Sequence, residues 1–224
     1  MLTMARWCAS SKQIFNLLLL LGMSLFPLNF SMANKGSSRE VLVSMLGDSI
    51  TEGYGLSVEQ AYPFLVEQLL KKEGYHIRTI NAGVSGATTA NGLSRLHWVL
   101  KARPDYLFIA LGANDGLRGL DLEVTKKNLR EMIQKAKKEK VAVFLAGMKM
   151  PPNYGPEFTK KFAKMYKDLA KEESVPLFPF LLEDVAARKK LNLSDGIHPN
   201  EEGQKIIAKN VVRFLKKHIS HAQY

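Results

Sequence analysis

Three polar residues, far apart in the chain, have the types that acyl transfer needs. Ser49 ends the run Gly47-Asp48-Ser49, and Asp195 and His198 stand three positions apart in Asp195-Gly196-Ile197-His198-Pro199-Asn200. A serine hydroxyl attacks a carbonyl when a base takes its proton, and a carboxylate that fixes the base's tautomer makes that transfer efficient. At this spacing one turn of chain folds the carboxylate onto one ring nitrogen and leaves the other facing the serine. The resulting oxyanion needs donors. Asn114, in Gly112-Ala113-Asn114-Asp115, offers a side-chain amide, and the backbone N–H groups of Ser49 and Gly83 offer two more. Each fragment alone has a plainer use: Ser49 or Thr51 as a helix cap, Asp195-Gly196 and Asn114 as turn formers, Gly83 as a tight bend.

These residues need a scaffold that brings them to one edge. Val41–Leu46 is a short apolar, β-branched run ending at Gly47, as a buried strand feeding a loop does. Similar runs recur at Ile77–Ala82, Tyr106–Leu111, Val141–Gly147 and Val175–Phe180. Between and after them lie segments with helical spacing: Tyr62–Glu73, Thr88–Leu100, Leu122–Lys138, Pro156–Glu173 and Asn200–Lys217. Leu129, Met132, Ile133 and Ala136 share one helix face while lysines and glutamates take the other. Strict alternation predicts parallel strands joined by right-handed crossovers, hence an α/β fold, a three-layer α/β/α sandwich. Ligands of such sheets sit outside the carboxyl ends of the strands. Ser49, Gly83 and Asn114 all fall just after strands, so the chemistry is expected on that edge.

Four ordered blocks together resemble the SGNH hydrolase family, also called GDSL esterases. Gly47-Asp48-Ser49-Ile50-Thr51 resembles its serine block, with Ile50 where leucine is commoner. Asn81-Ala82-Gly83-Val84-Ser85-Gly86 resembles the glycine block, Gly112-Ala113-Asn114-Asp115 the asparagine block and Asp195-Gly196-Ile197-His198 the histidine block. The resemblance covers Val41 to Phe214 and looks closest to the bacterial branch of thioesterases, lysophospholipases and arylesterases. It implies a catalytic triad of Ser49, Asp195 and His198, an oxyanion hole of Ser49, Gly83 and Asn114, and no metal or other cofactor. It further implies a mainly monomeric, exported enzyme with a flavodoxin-like, five-stranded parallel sheet in the order 2-1-3-4-5. Its substrates would be acyl esters or thioesters: aryl esters, acyl-CoA-type thioesters, lysophospholipids. Asp48, Leu117, Leu120, Met150, Pro152 and Tyr154 are the expected substrate contacts, the apolar ones lining an acyl groove.

The chain is 224 residues long, enough for one well-buried domain. Arg6 and Lys12 precede an apolar run, Ile14 to Leu28, followed by Ser31-Met32-Ala33 with small residues at both cleavage-determining positions. That is the pattern of a secretory signal peptide over residues 1–33, followed by a domain over 34–224 in the periplasm or the medium. Cys8, the single cysteine, would leave with it, so the mature chain would have no disulfide and no catalytic cysteine. Net charge is +11, and loss of Arg6 and Lys12 leaves +9. The lysines are spread over helices and are not interleaved with aromatics, which suits solvated helix faces and weak attraction to anionic membrane surfaces better than nucleic-acid binding.

Of three rival readings, two have specific sequence tests. A metallophosphoesterase would use Gly47-Asp48 and Asn114-Asp115 as ligand blocks but needs histidines beside them, and His76 and His97 fall in a strand and a helix. An α/β-hydrolase needs a Gly-x-Ser-x-Gly elbow, which is missing. A carbohydrate O-acetyl esterase of the same family shares Gly-Asp-Ser-Ile-Thr, so the serine block does not separate sugar acetyl groups from fatty acyl chains.

Overall fold

Strands form where β-branched and apolar residues run unbroken, and helices form where the period changes to 3.6. The structure, a computed structural model, describes residues 39–219. The expected signal peptide, with cleavage after Ala33, lies outside the described residues. In chain order the elements are β1 (Val41–Gly47), α1 (Ser49–Glu52), α2 (Tyr62–Lys72), β2 (Ile77–Gly83), α3 (Thr89–Lys101), β3 (Tyr106–Ala110), α4 (Ala113–Leu117), α5 (Leu122–Lys138), β4 (Ala142–Ala146), α6 (Pro156–Glu172), β5 (Leu177–Phe178) and α7 (Glu201–Leu215).

The sheet order is β2-β1-β3-β4-β5, all parallel, as expected. β1 runs from Val41 opposite Ile77 to Gly47 opposite Gly83, and Gly47 also faces Ala110 of β3. The ends of three neighbouring strands therefore lie level, and the loops that leave them share one edge. Right-handed crossovers place α2 on one face and α3, α5 and α6 on the other, because the chain moves from β1 to β2 in one direction and from β2 onward in the opposite one. α7 then returns beside α2. Its Phe214 packs against Phe108, Phe144 and Phe178 of three adjacent strands. Burying each such ring is worth about 1.5–3 kcal/mol, so this cluster holds α7 firmly to the sheet.

Two elements differ from expectation. β5 has two residues where six were predicted, because Pro176 and Pro179 flank it and neither has an N–H for the ladder. Ala113–Leu117, read as loop, is a helical turn whose lead residue Gly112 has a φ of 111°. Several of the outer lysines pair with acids on their own helix, as Lys71 with Glu67 and Lys205 with Glu201, contacts worth at most about 1 kcal/mol each.

Candidate active site

Ser49 is the first residue of α1, immediately beyond β1. Asp48 caps that helix: its carboxylate accepts the Ile50 N–H at 3.0 Å. The hydroxyl is thereby carried at the strand end while Ile50 and Thr51 bury themselves behind it.

The loop bearing Asp195 and His198 is held by its own backbone. Leu193 N–H donates to His198 O at 2.8 Å and Gly196 N–H to Leu193 O at 2.9 Å. Asn200 then caps α7 through Gly203 N–H at 3.1 Å. What joins this loop to Ser49 across the molecule is Gln204. Buried in α7, it accepts from Tyr62 N–H at 2.9 Å and donates to Ile50 O at 3.0 Å, fastening α7 to α1 and α2.

The three residues then meet. Asp195 Oδ1 accepts the N–H groups of Ile197 and His198 at 2.8 and 2.9 Å, and Oδ2 lies 2.7 Å from His198 Nδ1. Those backbone N–H bonds, with the imidazole, hold the Asp195 carboxyl down at about 2. An ionised carboxylate only accepts, so Nδ1 carries the proton and Nε2 presents its lone pair. Nε2 lies 2.9 Å from Ser49 Oγ, the geometry of a base poised on a nucleophile. The ring of Tyr54, which no sequence signal singled out, lies against the imidazole with centroids 4.5 Å apart.

Asn114 lies on α4, and its Nδ2 donates to Ala87 O at 3.0 Å. This bond draws the β2–α3 loop alongside it. Arg118 Nη2 holds Gly86 O at 3.0 Å, and Glu52 accepts the Ser85 N–H at 2.7 Å, so the loop is tied to α1 and α4 at once. Gly83 does not present the free N–H expected of it. That N–H donates to Asn81 Oδ1 at 2.9 Å, and a Cβ at Gly83 would sit 2.1 Å from Glu52 N, so this glycine serves close packing of α1 on β2. Gly86, three residues on, has a φ of 73° and an N–H without a hydrogen-bond partner among the described residues, as has the N–H of Ser49. The chain offered two glycines in one loop, and which N–H stays free depends on the Asn81 side chain.

The expected substrate contacts divide. Leu117 and Tyr154 are half-buried and meet, Tyr154 donating its hydroxyl to Leu117 O at 3.0 Å, while Leu120 and Pro152 are exposed. Met150 is turned inward instead: its Sδ packs over Gly116 beside Phe162, in the core. Asp48 is 2 % exposed and faces the helix cap, so it does not reach a substrate. The ligand blocks of the metal reading are likewise engaged, Asp48 with Ile50 and Asp115 with Thr89 N–H at 2.9 Å.

Burial pushes the Asp48 carboxyl up to about 6, although the Ile50 N–H pulls it down. A raised carboxyl means that ionisation opposes folding. The cost is nil below the unfolded value near 4, grows from there to about 6 and is complete above. An asparagine at this position would keep the cap without the charge. Asp48→Asn is therefore expected to raise stability by on the order of 2–3 kcal/mol at pH 8 and by little at pH 4. Thermal melts at the two pH values measure this, and an equal or negative change at pH 8 would contradict it.

The sequence pattern of the GDSL-like Lipase/Acylhydrolase family matches residues 45–206, a span that includes every one of these side chains. The chain belongs to this family. Among similar members of this acylhydrolase family, an arylesterase of Vibrio mimicus is 40% identical over 184 residues, covering 82% of this chain and 91% of that protein. The thioesterase 1/protease 1/lysophospholipase L1 of Escherichia coli is 36% identical over 178 residues, covering 79% and 84%. A crystal structure of TesA superposes with a TM-score of 0.77 at 39% identity, covering 80% of this chain and 99% of that one. As a GDSL acylhydrolase the chain is an esterase, and its fold matches those of solved relatives.

Proposed function

We propose that the chain hydrolyses acyl esters and thioesters through an acyl-enzyme on Ser49. His198 Nε2 takes the Ser49 proton as the hydroxyl adds to the carbonyl carbon. The N–H groups of Ser49 and Gly86 and the amide of Asn114 receive the oxyanion, with Gly86 in the place first given to Gly83. His198 then returns the proton to the leaving alkoxide or thiolate, and water, deprotonated by the same nitrogen, releases the acid. Asp195 keeps the imidazole's tautomer and offsets its charge while it holds the proton.

The observation that carries this reading is the continuous chain from Asp195 to His198 to Ser49, at 2.7 and 2.9 Å. Its extension to thioesters and lysophospholipids is supported by relatives that bear those names. The apolar surface of Leu117, Leu120 and Tyr154 favours a fatty acyl chain over a sugar. The signal-peptide-like N-terminal sequence supports a reaction outside the cytoplasm, in the periplasm or the medium, and a charge of +9 after its removal would suit brief contact with anionic membranes.

A panel of aryl esters of rising chain length, an acyl-CoA, a lysophospholipid and an acetylated xyloside tests the substrate class. Turnover of the first three groups, unchanged by chelator, is the expected result. Turnover of the acetylated sugar alone would instead make this a carbohydrate O-acetyl esterase, and loss in chelator would restore the metal reading.

A further inference from the structure

Tyr54 stands between two glycines in Gly53-Tyr54-Gly55, both with positive φ, at 86° and 76°. Gly53 ends α1 in the left-handed conformation, and the chain doubles back on itself there. As a result the N–H groups of Gly53 and Tyr54 both donate to Ser49 O at 3.0 Å. Tyr54 as a whole is 49 % exposed, too open for a core residue, yet its ring centroid lies 4.5 Å from that of the His198 imidazole with the planes 37° apart. Tyr54 is thus fastened to the nucleophile by its backbone and to the base by its ring. Leu193, next to the Asp195 loop, meets the same turn, since a Cβ on Gly55 would come within 3.0 Å of its Cδ1.

The two hydrogen bonds of His198 leave one freedom open. Asp195 holds Nδ1 and Ser49 holds Nε2, each through one contact at a ring nitrogen. A tilt of the ring out of its plane, pivoted at Nδ1, carries Nε2 away from Oγ while the bond to Asp195 is kept. A contact on the ring's face opposes that motion, and Tyr54 supplies one. We propose that Tyr54 is a positioning residue for His198, holding the imidazole upright over Ser49. When His198 gains the proton, the same aromatic face lies against a cation, which favours that state further.

The proposal rests on the triad reading. It is tested with phenyl acetate and ethyl acetate, together with the rate at which a small fluorophosphonate labels Ser49. Tyr54→Leu is expected to lower kcat about tenfold on both esters and the labelling rate in parallel, because misaligned reacting groups slow the chemical step itself. KM should stay within about twofold, and Tyr54→Phe and Tyr54→Trp, which keep an aromatic face, should recover most of kcat. Tyr54→Met is the second non-aromatic variant, read in the same way where the leucine variant melts early. Unchanged kcat and labelling in the folded variants would overturn the proposal. So would a loss confined to phenyl acetate, or to KM, which would make Tyr54 a substrate contact. The two levels separate cleanly: an active Ser49→Ala enzyme defeats the triad, whereas a Tyr54→Leu enzyme with undiminished kcat that Ser49→Ala silences defeats this proposal alone.

Discussion

Replacing Ser49 with alanine is expected to lower kcat on a short aryl ester by on the order of 10⁴-fold or more, with melting temperature nearly unchanged. The change removes one oxygen, the atom 2.9 Å from His198 Nε2. Everything else that Ser49 does survives. Its N–H remains at the first position of α1, and its carbonyl still accepts Gly53 and Tyr54. Alanine is a good helix former, and Asp48 still caps the helix. The residual rate would come from water attacking a carbonyl polarised by the remaining donors. His198→Ala should cost a similar factor, and the double variant little more than either alone, because the two groups act as one unit. Initial rates on purified, folded variants measure this. Retention of a tenth of the wild-type kcat by Ser49→Ala would place the nucleophile elsewhere.

The larger elements could be read from sequence because each satisfies a one-dimensional rule. Tyr106–Ala110 is apolar throughout since both its faces are covered, and Leu129, Met132, Ile133 and Ala136 repeat with the period of a helix that buries one stripe. β5 failed that rule because two prolines cut its ladder short, and α4 hid behind two glycines and an Asn-Asp pair that read as a turn. The site divides along the same line. Residue types and their placement, Ser49 and Asn114 just after strands and Asp195 and His198 just before the last helix, are enough to single out these four as candidates. The direction in which a loop side chain points was not legible. Asp48 and Met150 sit in the right loops, but a cap and the α4–α6 core claim them. Gly83 and Gly86 differ by one hydrogen bond from Asn81. Gln204 and Tyr54 act across the fold, Gln204 through contacts more than a hundred residues apart in sequence, and no spacing rule reaches that far.

Asn114→Ala is expected to lower kcat by about 10²–10³-fold, the usual effect of losing one oxyanion donor. The amide nitrogen has two hydrogens. One is committed to Ala87 O at 3.0 Å, which leaves the second for an oxyanion formed at Ser49. The bond to Ala87 does a further task, since it keeps the amide from rotating and holds the Gly86 loop beside it. Truncation therefore has two separable consequences. Loss of the donor acts when charge develops on oxygen, so it depresses kcat and kcat/KM together and leaves KM alone. Loss of the tether lets the loop shift, which would also raise KM. Asn114→Asp distinguishes them further. It has the same shape, but an ionised carboxylate would donate to neither Ala87 O nor the oxyanion and would place negative charge where negative charge must form. Its kcat should fall below that of the alanine variant. If Asn114→Asp instead matched wild type at a pH where the carboxyl is ionised, Asn114 would have no part in binding the oxyanion, and the N–H groups of Ser49 and Gly86 would have to carry it alone.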